Sequence, residues 1–109
     1  MSDKLVLDLD AQIAALVPRF LANRAADVGR IRAALAGGDF ETIRRAAHGM
    51  KGSGGGYGFP EISRLGAAME AGARERDAAA IAGLAASLEA YLARIEIERD
   101  DGKSAPGGA

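Results

Sequence analysis

The sequence predicts an all-α protein, an antiparallel up-and-down four-helix bundle with a short extra helix at its N-terminal end. Alanine is the commonest residue and aromatic residues make up only 5% of the chain, a composition that favours helix over sheet. Apolar residues recur at intervals of three and four, which is the period of one helix face. Short connections containing glycine or proline separate the helical stretches, and such connections are typical of antiparallel bundles.

The N-terminal third predicts two helices divided at Pro18, because a proline is tolerated in the first turn of a helix but clashes in its interior. We expect a short helix near residues 9–16 and a longer one that begins at Pro18. The pair Gly37-Gly38 ends the longer helix, since glycine readily adopts the left-handed conformation of a helix end. The apolar positions of this region are Ile13, Leu16, Val17, Phe20, Leu21, Val28, Ile31 and Leu35.

Three start signals predict the remaining helices: Asp39 and Asp77 are suited to cap a helix, and Pro60 is suited to its first position. The apolar positions of these helices are Ile43, Ala46, Ala47, Met50 and, if the first of them runs that far, Tyr57; Ile62, Leu65, Met69 and Ala73; and Ile81, Leu84, Leu88, Tyr91, Leu92 and Ile95. We therefore expect one helical domain over residues 1–99, followed by a flexible C-terminal tail over residues 100–109.

The composition excludes several classes of function. Lys and Arg total 14 and Asp and Glu total 15, for a formal net charge of −1, so we expect no nucleic-acid partner. The chain has no cysteine and a single histidine, which excludes disulfides, thiol catalysis and a metal site with two histidines. Its first residues include acids where a signal peptide needs an apolar run, and no stretch approaches the length of a membrane span. We expect a cytoplasmic protein with no membrane partner.

The segment from His48 to Gly58 departs from ordinary bundle sequence, because six of its eleven residues are glycine. Each glycine inside a helix costs about 1 kcal/mol relative to alanine, so the segment is either a loop or a site with a reason for that cost. It lacks the Lys-Ser/Thr ending of a P-loop, it contains no G-x-G-x-x-G in any register, and no strand-like run precedes it. A nucleotide-binding loop is therefore a poor interpretation.

On a helix, His48 would lie opposite the apolar stripe, with Arg44, Lys51, Gly52 and Gly55 one or two turns away. Imidazole titrates at about pH 6.5, so a neutral ring offers a nucleophilic nitrogen near neutral pH. The two cations would attract a phosphoryl group, and the two glycines remove side chains that would obstruct a partner protein. The sequence offers the ring no acid–base partner, which indicates an external donor. The alternative interpretation is a solvated histidine with two ordinary surface charges, or a loop.

These residues resemble the signature of the histidine-containing phosphotransfer (HPt) domain family. That signature consists of a histidine, an apolar residue, Lys-Gly and small residues, a glycine ten positions after the histidine, and a helix that ends in Leu-Glu. The matching residues are the segment from Ala47 to Gly54, then Gly58, Ile62, Leu65 and the pair Met69-Glu70. Met50 and Met69 stand where leucine is commoner, and the run Gly54-Gly55-Gly56 is richer in glycine than the family pattern.

The resemblance implies an antiparallel four-helix bundle with an exposed active histidine midway along a helix. His48 would accept a phosphoryl group from the phospho-aspartate of a response-regulator receiver domain and pass it to another receiver. Lys51 would stabilise charge on the phosphoryl oxygens, Gly52 would leave room for the receiver, and Arg44 could assist on the physical argument alone. A hybrid sensor histidine kinase would be a possible further partner. The chain would have no kinase activity, cofactor or metal of its own, because the Mg²⁺ of the transfer sits in the receiver.

Two alternatives stay open. The chain could be an HPt-like docking module that binds receivers or kinases without carrying phosphate, although the intact set of His48, Lys51 and Gly52 argues against a degenerate copy. It could also be a structural bundle that self-associates through the stripe from Ile81 to Ile95, which is better explained as an inward face. We expect a monomer, and Met1 together with the short tail favours a free-standing protein.

Overall fold

The computed structural model describes the backbone of residues 2–108 and the side chains of residues 11–98. Within that part the chain forms four α-helices and no strand, which confirms the predicted all-helical class. The helices are Ser2–Ala36 (α1), Phe40–Ser53 (α2), Pro60–Arg74 (α3) and Ala78–Gly108 (α4), and a 3₁₀ turn at Gly55–Tyr57 lies between α2 and α3.

The boundaries of the helices follow the local chemistry that predicts them. Asp39 and Asp77 each accept a hydrogen bond from the backbone N–H three residues further on, at 3.1 Å in both cases. Pro60 occupies the first turn of α3, where its missing N–H is not needed. Gly38 follows the end of α1 with a φ of +70°, the left-handed conformation that glycine adopts without strain. These four predicted signals are confirmed.

Helix α1 differs from the prediction. The sequence predicts a short extra helix near residues 9–16 and a break at Pro18, but the structure has one helix over Ser2–Ala36 with Pro18 inside it. The two-helix prediction is therefore wrong. A proline inside a helix removes one backbone hydrogen bond and crowds one carbonyl, but it leaves the hydrogen bonds of the neighbouring turns in place. Phe20 and Ile31 are buried in the core and hold the helix on the C-terminal side of the proline.

The core is formed by the apolar faces of all four helices. Its largest fully buried hydrophobic residues are Ile31, Ile43, Met50, Ile62, Leu65, Met69, Ile81 and Leu88. Helices α2 and α3 pack together more extensively than any other pair, and α4 packs on both α1 and α3. Because Ile81 and Leu88 belong to this core, the stripe from Ile81 to Ile95 is an inward face. The two largest aliphatic residues of this stripe that are fully buried, Ile81 and Leu88, are therefore not available for self-association.

Part of α4 is long and apolar enough to cross a membrane. Over Ala78–Glu98 its mean hydropathy reaches 1.4, so the expectation that no stretch approaches a membrane span is wrong by length and composition. Alanine contributes much of this hydropathy, and the larger apolar side chains Ile81 and Leu88 lie in the protein core. Only 17% of this stretch is buried within the protein, and the cytoplasmic location stays a prediction.

The end of α4 overlaps the predicted tail. The helix runs to Gly108, so its backbone continues through most of residues 100–109. The side chains of residues 99–109 lie outside the described residues, as does the backbone of Ala109. The flexibility predicted for this segment, and the domain boundary at residue 99, therefore stay predictions.

Candidate functional site

His48 lies in the second half of α2, and its side chain is 66% exposed. On the same helix Ile43, Ala47 and Met50 are fully buried. Their spacing of three and four residues places them on one face, so that His48 projects from the other. This placement agrees with the prediction that His48 lies off the core.

The carboxylate of Glu70 on α3 holds the imidazole ring of His48 in one orientation. The Nδ1 atom of His48 lies 2.8 Å from Glu70 Oε2, and Lys51 Nζ donates to Glu70 Oε1 at 3.0 Å. Arg74 Nη2 also donates to Oε2, at 3.3 Å. Only 2% of the Glu70 side chain is exposed, so a buried carboxylate here has three nitrogen partners from two helices. Such partners offset the loss of hydration that burial imposes on a charge.

The ionisation of Glu70 determines which imidazole nitrogen is free. The hydrogen bond from Lys51, followed by that from His48, lowers the pKa of Glu70 to about 2 although burial acts in the opposite direction. An ionised carboxylate can only accept hydrogen bonds, so the proton of the His48–Glu70 contact is on Nδ1. In the neutral ring the lone pair is then on Nε2. The site therefore presents one defined nucleophilic nitrogen.

A close approach between α2 and α3 brings these residues together. At Gly66, one turn before Glu70, a Cβ atom would lie 2.6 Å from the backbone nitrogen of Lys51 and 2.9 Å from the carbonyl oxygen of Ala47. Real Cβ atoms do not come so near to backbone, so only glycine fits there. Residues four apart lie on the same side of a helix, and the crossing at Gly66 therefore places Glu70 beside His48.

The glycine-rich segment forms the end of α2 and the turn that follows. A Cβ at Gly54 would lie 2.6 Å from the backbone nitrogen of Ser63, so glycine is needed where the chain leaves α2. The N–H of Gly55 donates to Ser63 Oγ at 2.8 Å. Within the segment only Gly49 and Gly52 lie inside α2. The cost to the helix is accordingly that of two glycines rather than six.

The predicted partner-binding residues occupy different positions around His48. A Cβ at Gly52 would meet no atom within 4 Å, and one at Gly55 would meet only a hydroxyl oxygen at 3.8 Å, so both positions are open. Arg44 donates to both carboxylate oxygens of Glu41, at 3.0 and 2.7 Å. That hydrogen bond raises the pKa of Arg44, and the charge of Glu70 acts in the same direction more weakly. Lys51 and His48 thus share hydrogen bonds with the carboxylate of Glu70, whereas Arg44 forms its hydrogen bonds with Glu41.

Two members of this cluster were not assigned from the sequence. The sequence predicts no acid–base partner for His48, and the contact with Glu70 corrects that prediction. Its contact with His48 joins positions 22 residues apart, which the spacing within one helix does not reveal. The signal that could have found it is the Met69-Glu70 pair at the end of the family signature. Arg74 has no signal except its position one turn after Glu70.

A second polar cluster attaches α1 to the end of α2. Arg24 donates to Ser53 Oγ at 3.2 Å and forms an ion pair with Asp27 at 2.8 Å. Its guanidinium lies 5.1 Å from the ring centre of Phe20, which stacks on Tyr57 of the 3₁₀ turn at 4.3 Å. These contacts secure the C-terminal end of α2, five residues beyond His48, against the longest helix of the protein.

Comparison with known protein families gives one finding. The family model described as the Hpt domain matches residues 15–97, which is about three quarters of the chain and includes all of α2 and α3. Neither a curated protein nor a solved structure gives a match.

Proposed function

Because the chain belongs to the Hpt domain family, which serves histidine phosphotransfer in phosphorelay signalling, we propose that His48 is its phosphoryl acceptor. His48 would take the group from the phospho-aspartate of a response-regulator receiver domain and pass it to another receiver. Hpt domains are phosphocarriers without kinase activity, and they interact with receiver domains and histidine kinases. The observation that carries the proposal is the exposed His48 ring whose Nδ1–H is bonded to ionised Glu70.

In the proposed reaction, Nε2 of His48 attacks the phosphorus of the receiver's acyl phosphate in line. A N–P bond forms while the bond from phosphorus to the aspartyl oxygen breaks, and the receiver leaves with a free carboxylate. The proton stays on Nδ1, so the ring becomes a positively charged phosphoimidazolium that faces Glu70. The hydrogen bond between them strengthens as this charge develops, and interactions that grow towards the transition state are those that accelerate a reaction.

Lys51 is proposed to stabilise the phosphoryl oxygens during transfer. It lies one turn from His48, and its side chain is 46% exposed, so the flexible stem can carry the ammonium group to the incoming phosphate. The open surface at Gly52 and Gly55 would admit the receiver, with Arg44 at its edge. The transfer is proposed to need no cofactor on this chain, because the receiver supplies the Mg²⁺.

We propose that the four helices are arranged in antiparallel, up-and-down order, in a monomeric bundle. Arg32 of α1 pairs with Glu89 of α4 at 2.9 Å. Ala25 of α1, seven residues before Arg32, lines the same surface cleft as Glu96 of α4, seven residues after Glu89. Contacts that advance in opposite sequence directions support antiparallel packing of these two helices.

The test is phosphotransfer from a receiver domain loaded with radiolabelled phosphate. Label is expected on the wild type, stable in alkali and lost in acid, and none is expected on His48→Gln, which removes the only histidine of the chain. Circular dichroism is expected to show that both proteins are equally folded. If receivers bind the wild type but no phosphorylated receiver of a broad panel labels it, the transfer proposal is wrong and the docking module takes its place.

A further inference from the structure

Arg74 is a partner of Glu70 that has no role in the proposed phosphotransfer reaction. It lies on α3 one turn after Glu70, with its side chain 62% exposed. Its guanidinium approaches Oε2, the oxygen that also faces His48, whereas Lys51 approaches Oε1 from α2. Two cations from two different helices therefore bind the same carboxylate through separate oxygens, and one can leave while the other stays.

Lys51 has two tasks that compete. At rest its ammonium group compensates the charge of a carboxylate that is only 2% exposed. During transfer it has to leave Oε1 for the phosphoryl oxygens, before the imidazole ring has gained its full positive charge. A buried carboxylate that loses its cation is strongly destabilised, because neither water nor another charge replaces the contact. With Lys51 as the only cation, this penalty would add to the barrier of the transfer.

We propose that Arg74 is a positioning residue that stays on Glu70 and thereby frees Lys51 to contact the phosphoryl group. The inference rests on the proposed function, since it takes His48 as the acceptor. Glu70 and Arg74 are four residues apart on one helix, in the order that favours an ion pair, so their contact persists when α2 adjusts to a partner. The planar guanidinium of Arg74 is suited to a fixed contact with a carboxylate, whereas Lys51 has the flexible stem that movement requires.

A double-mutant cycle tests this inference. Transfer of label to His48 is measured for wild type, Arg74→Gln, Glu70→Gln and the double variant, at a pH well above the range in which imidazole takes up a proton. Arg74→Gln is expected to slow the transfer roughly three- to tenfold, the range of one charge-assisted contact, and Arg74→Lys to restore most of the rate. In the Glu70→Gln background, Arg74→Gln should change the rate less than about twofold, because no carboxylate remains to hold Lys51.

The matched control is Arg64→Gln. Arg64 is on the same helix and equally exposed, at 64%, but its ion pair is with Glu61. Its replacement is expected to leave the rate unchanged, which separates the effect on Glu70 from the general loss of positive charge on α3.

Two results would overturn the inference. An unchanged rate in Arg74→Gln would remove the role of this residue. An equally large loss in the presence and absence of the Glu70 carboxylate would show that Arg74 acts directly on the receiver or the phosphate. If instead the wild type takes up no label beyond that seen with His48→Gln, the proposed function fails first and the inference with it. The two failures are thus distinguishable.

Discussion

His48 combines an exposed ring with a fixed orientation. Most of the imidazole is accessible to a partner, while its Nδ1 atom is bonded to a carboxylate that water scarcely reaches. Exposure alone would let the ring rotate and exchange tautomers, and burial alone would keep a donor away. The hydrogen bond to Glu70 gives the ring a defined tautomer without covering it, and positioning of this kind contributes most of what a protein adds to phosphoryl transfer.

Replacement of His48 by alanine is expected to leave the fold nearly as stable as before. The side chain is mostly exposed, and Glu70 keeps both Lys51 and Arg74 as partners, so the free energy of unfolding should change by less than about 1 kcal/mol. Urea denaturation followed by circular dichroism measures this change. A much larger loss would mean that the ring supports the core.

Glu70 is expected to make the stability of the protein depend on acid pH. Its pKa falls from an ordinary value of 4.5 to about 2 in the folded protein. Between these values the unfolded chain takes up the proton more readily, so the ionised carboxylate stabilises the fold above pH 4.5 and this contribution is lost as the pH falls towards 2.

The measurement compares the unfolding free energy of wild type and Glu70→Gln in urea at several pH values across this window. The advantage of the wild type should be largest at neutral pH and shrink as the acid range is entered. Glu41, whose pKa is also lowered to about 2, is present in both proteins and cancels in the difference. An advantage that stays constant down to the lowest pH would contradict the prediction.

At the scale of the helices, the crossing of α2 and α3 depends on Gly66. Alanine at this position is expected to destabilise the protein by about 1–3 kcal/mol, because its Cβ would overlap backbone atoms of α2 and force the helices apart. The displaced Glu70 should also slow phosphotransfer. Denaturant unfolding and the labelling assay measure the two effects.

Gly83 of α4 provides the control for Gly66. A Cβ there would meet no atom within 4 Å, so Gly83→Ala should stabilise the helix by about 0.5–1 kcal/mol through propensity alone. If both alanine variants gained stability, the close approach at Gly66 would not be a constraint on the fold.

Helix boundaries could be predicted from the sequence where residues close in the chain determine them. The predicted boundary at Pro18 was wrong, because tertiary packing determines the structure there. Asp39 and Asp77 cap their helices through contacts with residues three positions away, which the sequence displays directly. Pro18 is an equally local signal and predicts a helix break. The burial of Phe20, two residues later, depends on tertiary packing, which the local sequence does not show. The continuous α1 shows packing outweighing the local preference of one residue.

At the scale of the whole molecule, the candidate site was only half predictable. The exposure of His48 and the neighbourhood of Lys51 follow from the period of one helix. The contact with Glu70 does not, because it depends on how two helices cross. That crossing is determined by Gly66, and a glycine within a helical pattern is equally compatible with a weak point, a helix end or a close approach.

The open surface beside His48 predicts how the molecule meets a receiver. Leucine at position 52 is expected to lower the transfer rate at least about tenfold, because it would project into the space proposed for the receiver, while the stability stays close to that of the wild type. Gly83→Leu, at an equally open position on α4, should transfer normally. A normal rate for Gly52→Leu in the labelling assay would remove the role of this position.

The single histidine of the chain has a practical consequence for spectroscopy. In a protein labelled with ¹⁵N in histidine side chains, every imidazole resonance comes from this one ring and needs no assignment by mutation. The chemical shifts of its two nitrogens distinguish the tautomer that Glu70 imposes from the other one. A N–P bond would move the same signals. The residue proposed to carry the phosphoryl group would therefore also report its occupancy, in real time and in the presence of any partner that is left unlabelled.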